Sequence, residues 1–189
     1  MKKPLLLFAA TSSLFVAGCL VTSVYPFYTD KDIVSEPGLA GKWVNTNDLK
    51  EHWVFETDGT KAFRLTYTTT TSTNIIVATP FRLGGHKFLD LTGDPEPAKE
   101  VQPPPIPSHF LLRLLQNSPG VTLVPMNYDW LTQLVTNRPA AVRHYFIGEG
   151  DADKRRLVLT ADTKELQSFV LKHVNTKEAW GDAIELRKE

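Results

Sequence analysis

The chain has 189 residues, 42% of them hydrophobic and 22% charged, with 13 Pro and 11 Gly. That composition belongs to a globular protein and excludes a disordered, collagen-like or multi-span membrane chain. Lys plus Arg and Asp plus Glu number 21 each, so no broad field selects for nucleic acid, and the single Cys excludes an intrachain disulfide or a multi-Cys metal knuckle.

Lys2 and Lys3 form a short positive start, and Pro4 to Val16 is an uncharged apolar stretch. As a helix this stretch spans ~20 Å, too short for a bilayer core of ~30 Å. The pattern is that of a secretory signal, covering residues 1–18. Ala17 and Gly18 are small enough for a narrow peptidase cleft, and Cys19 follows at once. Val16-Ala17-Gly18-Cys19 resembles the bacterial lipobox, with Val where Leu is usual. The resemblance implies cleavage between Gly18 and Cys19, diacylglycerol on the Cys19 thiol and an acyl chain such as palmitate on the new amino group. Two or three chains anchor a protein where one binds only marginally. Without Lys2 and Lys3 the chain carries a formal charge of −2, so the anchor needs no basic patch. The resemblance further implies a membrane-anchored protein on the non-cytosolic side. With Leu20 after the Cys, it implies the outer membrane where the host has two. The alternative is an ordinary cleaved signal with an accidental Cys.

Residues 19–37 read as a lipidated tether. Its Tyr25-Pro26-Phe27-Tyr28 stretch is too aromatic for a free linker, and is expected to dock on the domain or lie at the lipid interface. Residues 38–189 read as one β-rich domain. Gly41 to Asn45 and His52 to Glu56 are strands, and Asp58-Gly59 is a hairpin turn. Phe63 to Thr68 and Ile75 to Phe81 alternate with period two. Gly84-Gly85 turns the chain into His86 to Leu91.

Residues 93–108 carry six Pro, including Pro103, Pro104 and Pro105, a density that forbids helix and interior strand. The segment reads as a stiff connector, or as a partner contact through Pro103 to Pro105. His109 to Leu115 and Val121 to Val124 form another hairpin. Asn127 caps a short helix that Pro139 ends, with Leu131, Leu134 and Val135 as its buried stripe. Val142 to Ile147 and Arg156 to Leu159 are strands. Asp162 to Glu165 is a capping box opening a helix with Leu166, Phe169, Val170 and Val174 on one face. Ala183 to Arg187 closes the domain as a strand.

About ten short strands and two or three short helices suggest a mainly β, antiparallel sheet curled into a barrel or sandwich. No parallel crossover pattern is visible. Leu39-Ala40-Gly41-Lys42-Trp43 resembles the opening of lipocalin-like barrels, in which Gly-x-Trp begins the first strand and the Trp plugs the closed end. Gly41 and Trp43 are therefore the candidate barrel plug. Lipocalins often stack a late Arg on that ring, but alternation puts Arg187 opposite the face of Ile184 and Leu186. The chain as a whole resembles a family of uncharacterised bacterial lipoproteins. The likeness rests on the lipobox, Tyr25-Pro26-Phe27-Tyr28-Thr29-Asp30, Leu39-x-Gly41-x-Trp43, Gly85-x-x-Phe88-Leu89-Asp90, Leu159-Thr160-Ala161 and Glu165-Leu166-Gln167-x-Phe169. It implies no activity.

Catalytic and metal signatures are weak. His52, His86, His109, His144 and His173 stand in no ligand spacing. Ser108-His109 lacks a nucleophile elbow, and adjacent strand residues point to opposite faces. Asp90, Asp94, Glu96 and Glu100 read as a solvated loop beside the Pro run, and Glu149 to Asp153 as a turn rather than a calcium site. The expectation is a non-enzymatic, lipid-anchored binding or assembly module of the cell envelope, with no metal or cofactor beyond the Cys19 lipid and no nucleic acid. It holds a small apolar ligand, or an envelope protein through Pro103 to Pro105. An envelope hydrolase is the remaining alternative, and His109 or His144 meeting Asp90 in a deep cleft would revive it.

Overall fold

Alternating apolar residues become strands because each strand can bury one face and leave the other free. In the computed structural model, which describes residues 20–57, 59–93, 108–148 and 155–189, they form eleven strands. These are β1 (Thr22–Ser23), β2 (Gly41–Asn45), β3 (His52–Thr57), β4 (Phe63–Thr68), β5 (Thr73–Leu83), β6 (His86–Gly93), β7 (His109–Gln116), β8 (Val121–Pro125), β9 (His144–Ile147), β10 (Arg156–Leu159) and β11 (Ile184–Lys188). Two helices, α1 (Tyr128–Asn137) and α2 (Thr163–His173), interrupt the later strands. No helix among the described residues is long and apolar enough to cross a membrane.

Eight strands close into an antiparallel barrel in the order β6-β5-β4-β3-β2-β11-β8-β7, sealed by β6 pairing with β7. The sheet forks at β7. One edge of that strand meets β8 from Leu112 onward and meets β1 at His109 and Phe110. From β1 the sheet continues outward through β10 to β9, a three-stranded annex. The β1–β10 pairing is parallel, contrary to the expectation from sequence. Two residues carry no periodicity, and their partner lies far along the chain.

The fork creates two cores on opposite faces of one wall. Trp43, Phe55, Tyr67, Leu89, Leu112 and Leu186, with neighbours from all eight barrel strands, fill the lumen. Phe81, Phe88 and Leu111 point outward from the same wall and meet Phe27, Leu131 and Phe169. Full burial of such side chains contributes ~1.5–3 kcal/mol each, an upper estimate against a compact unfolded chain.

Residues 20–37 are not a free tether. Val21 and Phe27 are buried, and Val34 N–H donates to Pro80 O at 3.0 Å beside an Ile33–Phe81 bridge. The segment runs as a strap along the part of β5 that β4 does not reach. The tether aromatics divide. Phe27 is sealed in, Tyr28 packs 5.8 Å from Phe81, and Tyr25 stays exposed.

The helix starts follow local chemistry. Asn127 Oδ1 accepts from Trp130 N–H at 3.0 Å, and Asp162 Oδ1 from Glu165 N–H at 3.0 Å. The second half of the expected capping box is diverted: Glu165 accepts from Arg143 N–H at 2.9 Å and Arg143 Nε–H at 2.6 Å. That bond ties α2 to the start of β9.

Candidate functional site

The barrel opening sits where Gly41 and Trp43 begin β2. Gly41 adopts φ 124°, and a Cβ there would meet Lys188 Cε at 3.3 Å. Trp43 is buried in the lumen, its Nε1–H donating to Leu39 O at 2.7 Å. The cation over its ring is Lys188 at 5.6 Å, directly opposite in register, while Arg187 points outward. Alternation alone therefore excludes Arg187 and selects its neighbour. Trp53, in register with Trp43, donates to Glu51 Oε1 at 2.7 Å, and Asn45 Nδ2 donates to Glu51 Oε2 at 3.1 Å. Burial, then the Glu51 and Asp48 carboxylates, push the nearby Tyr67 phenol above its ordinary pKa. The lumen is thus occupied by the chain's own rings and a satisfied carboxylate.

Asp90 does not belong to a solvated loop. It lies on β6, 1% exposed, on the outer face of the wall. Its Oδ2 accepts from Phe27 N–H at 2.9 Å. Its Oδ1 accepts from His109 Nδ1–H at 2.7 Å and from the Thr92 hydroxyl at 3.2 Å. Thr92 Oγ1 lies 2.9 Å from the same His109 nitrogen. The meeting of Asp90 and His109 is the one a hydrolase reading needs, but its geometry differs from a catalytic relay. There the acid and the nucleophile address opposite ring nitrogens. Here the carboxylate and the hydroxyl share Nδ1, beneath the strap rather than in a cleft. The cluster pins the strap to the wall.

The remaining His side chains have structural partners too. His52 Nδ1 lies 2.7 Å from Glu189 Oε1, His144 Nδ1–H donates to Val142 O at 2.9 Å, and His173 packs 4.9 Å from Trp130. Burial, then Lys172, lowers the pKa of His173. Among the described residues no three His, Cys, Asp or Glu side chains converge.

A groove of about 510 Å³ lies outside the barrel, between the outer face of β7–β8 and the chain leaving α2. Leu115, Val124 and Trp180 give it apolar walls, and Arg113 and Lys177 give it positive charge, with Asp182 at the rim. Arg113 is half-buried: Nη1 donates to Val174 O at 2.7 Å and Nη2 to His86 Nδ1 at 3.2 Å, with Trp180 5.5 Å below. Trp180 Nε1–H also donates to Val174 O, at 3.2 Å. Arg113 thereby caps the negative end of α2. Burial lowers its pKa from the ordinary guanidinium value. No carboxylate among the described residues pairs with it, so much of its charge faces the groove. Sequence reasoning missed Arg113 and Trp180, because 67 residues separate them and neither stands in a motif.

Gly18, Cys19, Asp94, Glu96, Glu100, Pro103, Pro104 and Pro105 lie outside the described residues, as does the whole of Glu149 to Asp153. Compared with models of protein families, with curated proteins and with solved structures, the chain matches none.

Proposed function

We propose that this chain is a lipid-anchored envelope lipoprotein acting as a non-enzymatic binding or assembly module. Residues 1–18 are removed, Cys19 carries diacylglycerol and an N-acyl chain, and the barrel works beside the membrane that holds those chains. The proposal places that membrane on the non-cytosolic side, and at the outer membrane in a two-membrane host. The Val16 to Cys19 sequence supports the anchor.

The observation that carries the binding role is the contrast between a lumen filled by aromatic rings and an open groove lined by Leu115, Trp180, Arg113 and Lys177. A small ligand with an apolar body fits the groove better than the lumen, and a negative end would meet Arg113 and Lys177. Two measurements test this. Cells grown in tritiated palmitate should label the wild-type chain and leave Cys19→Ala unlabelled; an unlabelled wild-type chain defeats the anchor. Native mass spectrometry of the detergent-extracted protein should show a small bound mass that Leu115→Asp loses. An empty wild-type protein defeats the ligand. A protein contact through Pro103 to Pro105 is then the remaining reading. Deletion of that loop should strip co-purifying envelope proteins.

A further inference from the structure

The sheet ends at β9, and its solvent face carries two large exposed apolar side chains, Tyr145 at 66% and Ile147 at 49%. Their position relative to the chain start follows from register. Ser23 pairs with Leu159 and Leu159 with His144; Thr22 pairs with Val158 and Val158 with Tyr145. Running backward from Ser23, β1 therefore heads toward the level at which Arg156 pairs with Ile147. Two strand spacings, ~10 Å, separate Thr22 from Tyr145. Cys19 lies three residues before Thr22, a reach of at most ~11 Å. A lipid on Cys19 would therefore be tethered within about 21 Å of Tyr145.

We propose that the face of the annex carrying Tyr145 and Ile147 seats on the surface of the bilayer that holds the Cys19 lipid. The inference rests on the lipid-anchor reading above and gives it an orientation. Tyr is favoured where one end of a ring is apolar and the other wet. Arg156 is exposed next to Ile147 and pairs with no carboxylate among the described residues. Its long stem can lie on the apolar layer while its head reaches phosphate. Residues 144–147 contain no Lys or Pro, the residues that usually guard an edge strand. A second copy on this edge is a weaker occupant. A four-residue strand with two exposed apolar side chains falls far short of the roughly 800 Å² per partner of a stable complex. A bilayer needs no matched shape.

The test uses the full chain, processed in cells and reconstituted into phosphatidylethanolamine–phosphatidylglycerol vesicles. The Cys19 sulfur is then a thioether, so Tyr145→Cys, Ile147→Cys and Thr71→Cys each supply one free thiol for an environment-sensitive fluorophore. Thr71 lies in the turn from β4 to β5, on the far side of β6 from the edge of β7 that carries the annex. Nitroxide-bearing lipids should quench the labels at 145 and 147 several-fold more than the label at 71. In the unsubstituted protein, photoactivatable phospholipid should attach to the peptide holding Tyr145 and Ile147. Equal quenching at all three sites in a protein whose N-terminal peptide carries acyl mass overturns the seat and leaves the anchor standing. Disulfide-linked dimers through position 147 overturn it in favour of a second copy. An N-terminal peptide without acyl mass removes the anchor and the seat together.

Discussion

The lumen and the outer core share the wall made by β5, β6 and β7 but are assembled differently. The lumen collects alternate residues from strands joined mainly by short hairpins, such as the Gly84-Gly85 turn between β5 and β6. The outer core gathers a strap, two helices and the annex strands onto the wall's far face. Phe27 reaches Asp90 across 63 residues, and Thr163 Oγ1 donates to Pro26 O across 137. A barrel built from near neighbours holds its own register. An outer layer built from distant pieces depends on the barrel for its floor. Loss of the lumen should therefore unfold everything, while loss of an outer contact should loosen only the outer layer.

The largest expected effect is that of Trp53→Ala. Removing a fully buried indole costs about 3–5 kcal/mol, and it also strips Glu51 of the donor at 2.7 Å. Urea unfolding should show one transition at much lower midpoint. A loss below about 1 kcal/mol would mean that the lumen is not the keystone.

Phe27→Ala should cost about 3 kcal/mol, with a different signature. Hydrogen exchange should quicken in β1, β9 and β10 while the β3–β4 amides stay protected. Equal loosening of both regions would merge the two cores into one cooperative unit. Asp90→Ala should cost about 2–3 kcal/mol, since it orphans the buried Phe27 N–H and leaves His109 with Thr92 alone. Its exchange pattern should match that of Phe27→Ala.

Lys188→Ala sharpens the lumen side. It removes a cation from the Trp43 face at an exposed site, worth about 0.5–1 kcal/mol. Arg187→Ala should cost nothing measurable in the same melt.

The smallest effect is at Asp32, on the strap. Partial burial raises its pKa, but hydrogen bonds from Thr29 and Gln167, with nearby Lys31, outweigh it and hold the carboxyl below the ordinary value. A depressed folded pKa contributes stability above the unfolded value, near 3.8, and loses it as pH falls through the folded one. Asp32→Asn should loosen the strap slightly at neutral pH. The difference from wild type should vanish on acidification below that range, as read by strap amide exchange.

The same division governs what could be read from sequence. Strands β3 to β5 announce themselves by alternation and β2, β6, β7 and β8 as short runs bounded by turns, with Trp43, Phe55, Leu65 and Leu89 at the inward positions, and Asn127 and Asp162 announce the helices. β1 does not, because two residues show no period and their partners stand at positions 109 and 158. Asp90 looked solvated because carboxylates beside a Pro run usually are. Its burial is decided by the Phe27 amide and the His109 ring. The groove was invisible for a like reason: Arg113 belongs to a strand and Trp180 to the connection after α2, and only the closed barrel sets one over the other.

Strands β6 and β7 are buried on both faces along their middle stretch, so burial alone cannot tell which way round they should lie. Slipping β6 by one residue would exchange its two buried faces. Such a slip would turn the Asp90 carboxylate into the lumen, away from every group that now satisfies it. One acid amid the hydrocarbon acts as a positional key, rejecting the slipped alignment and leaving a single way to close the cylinder.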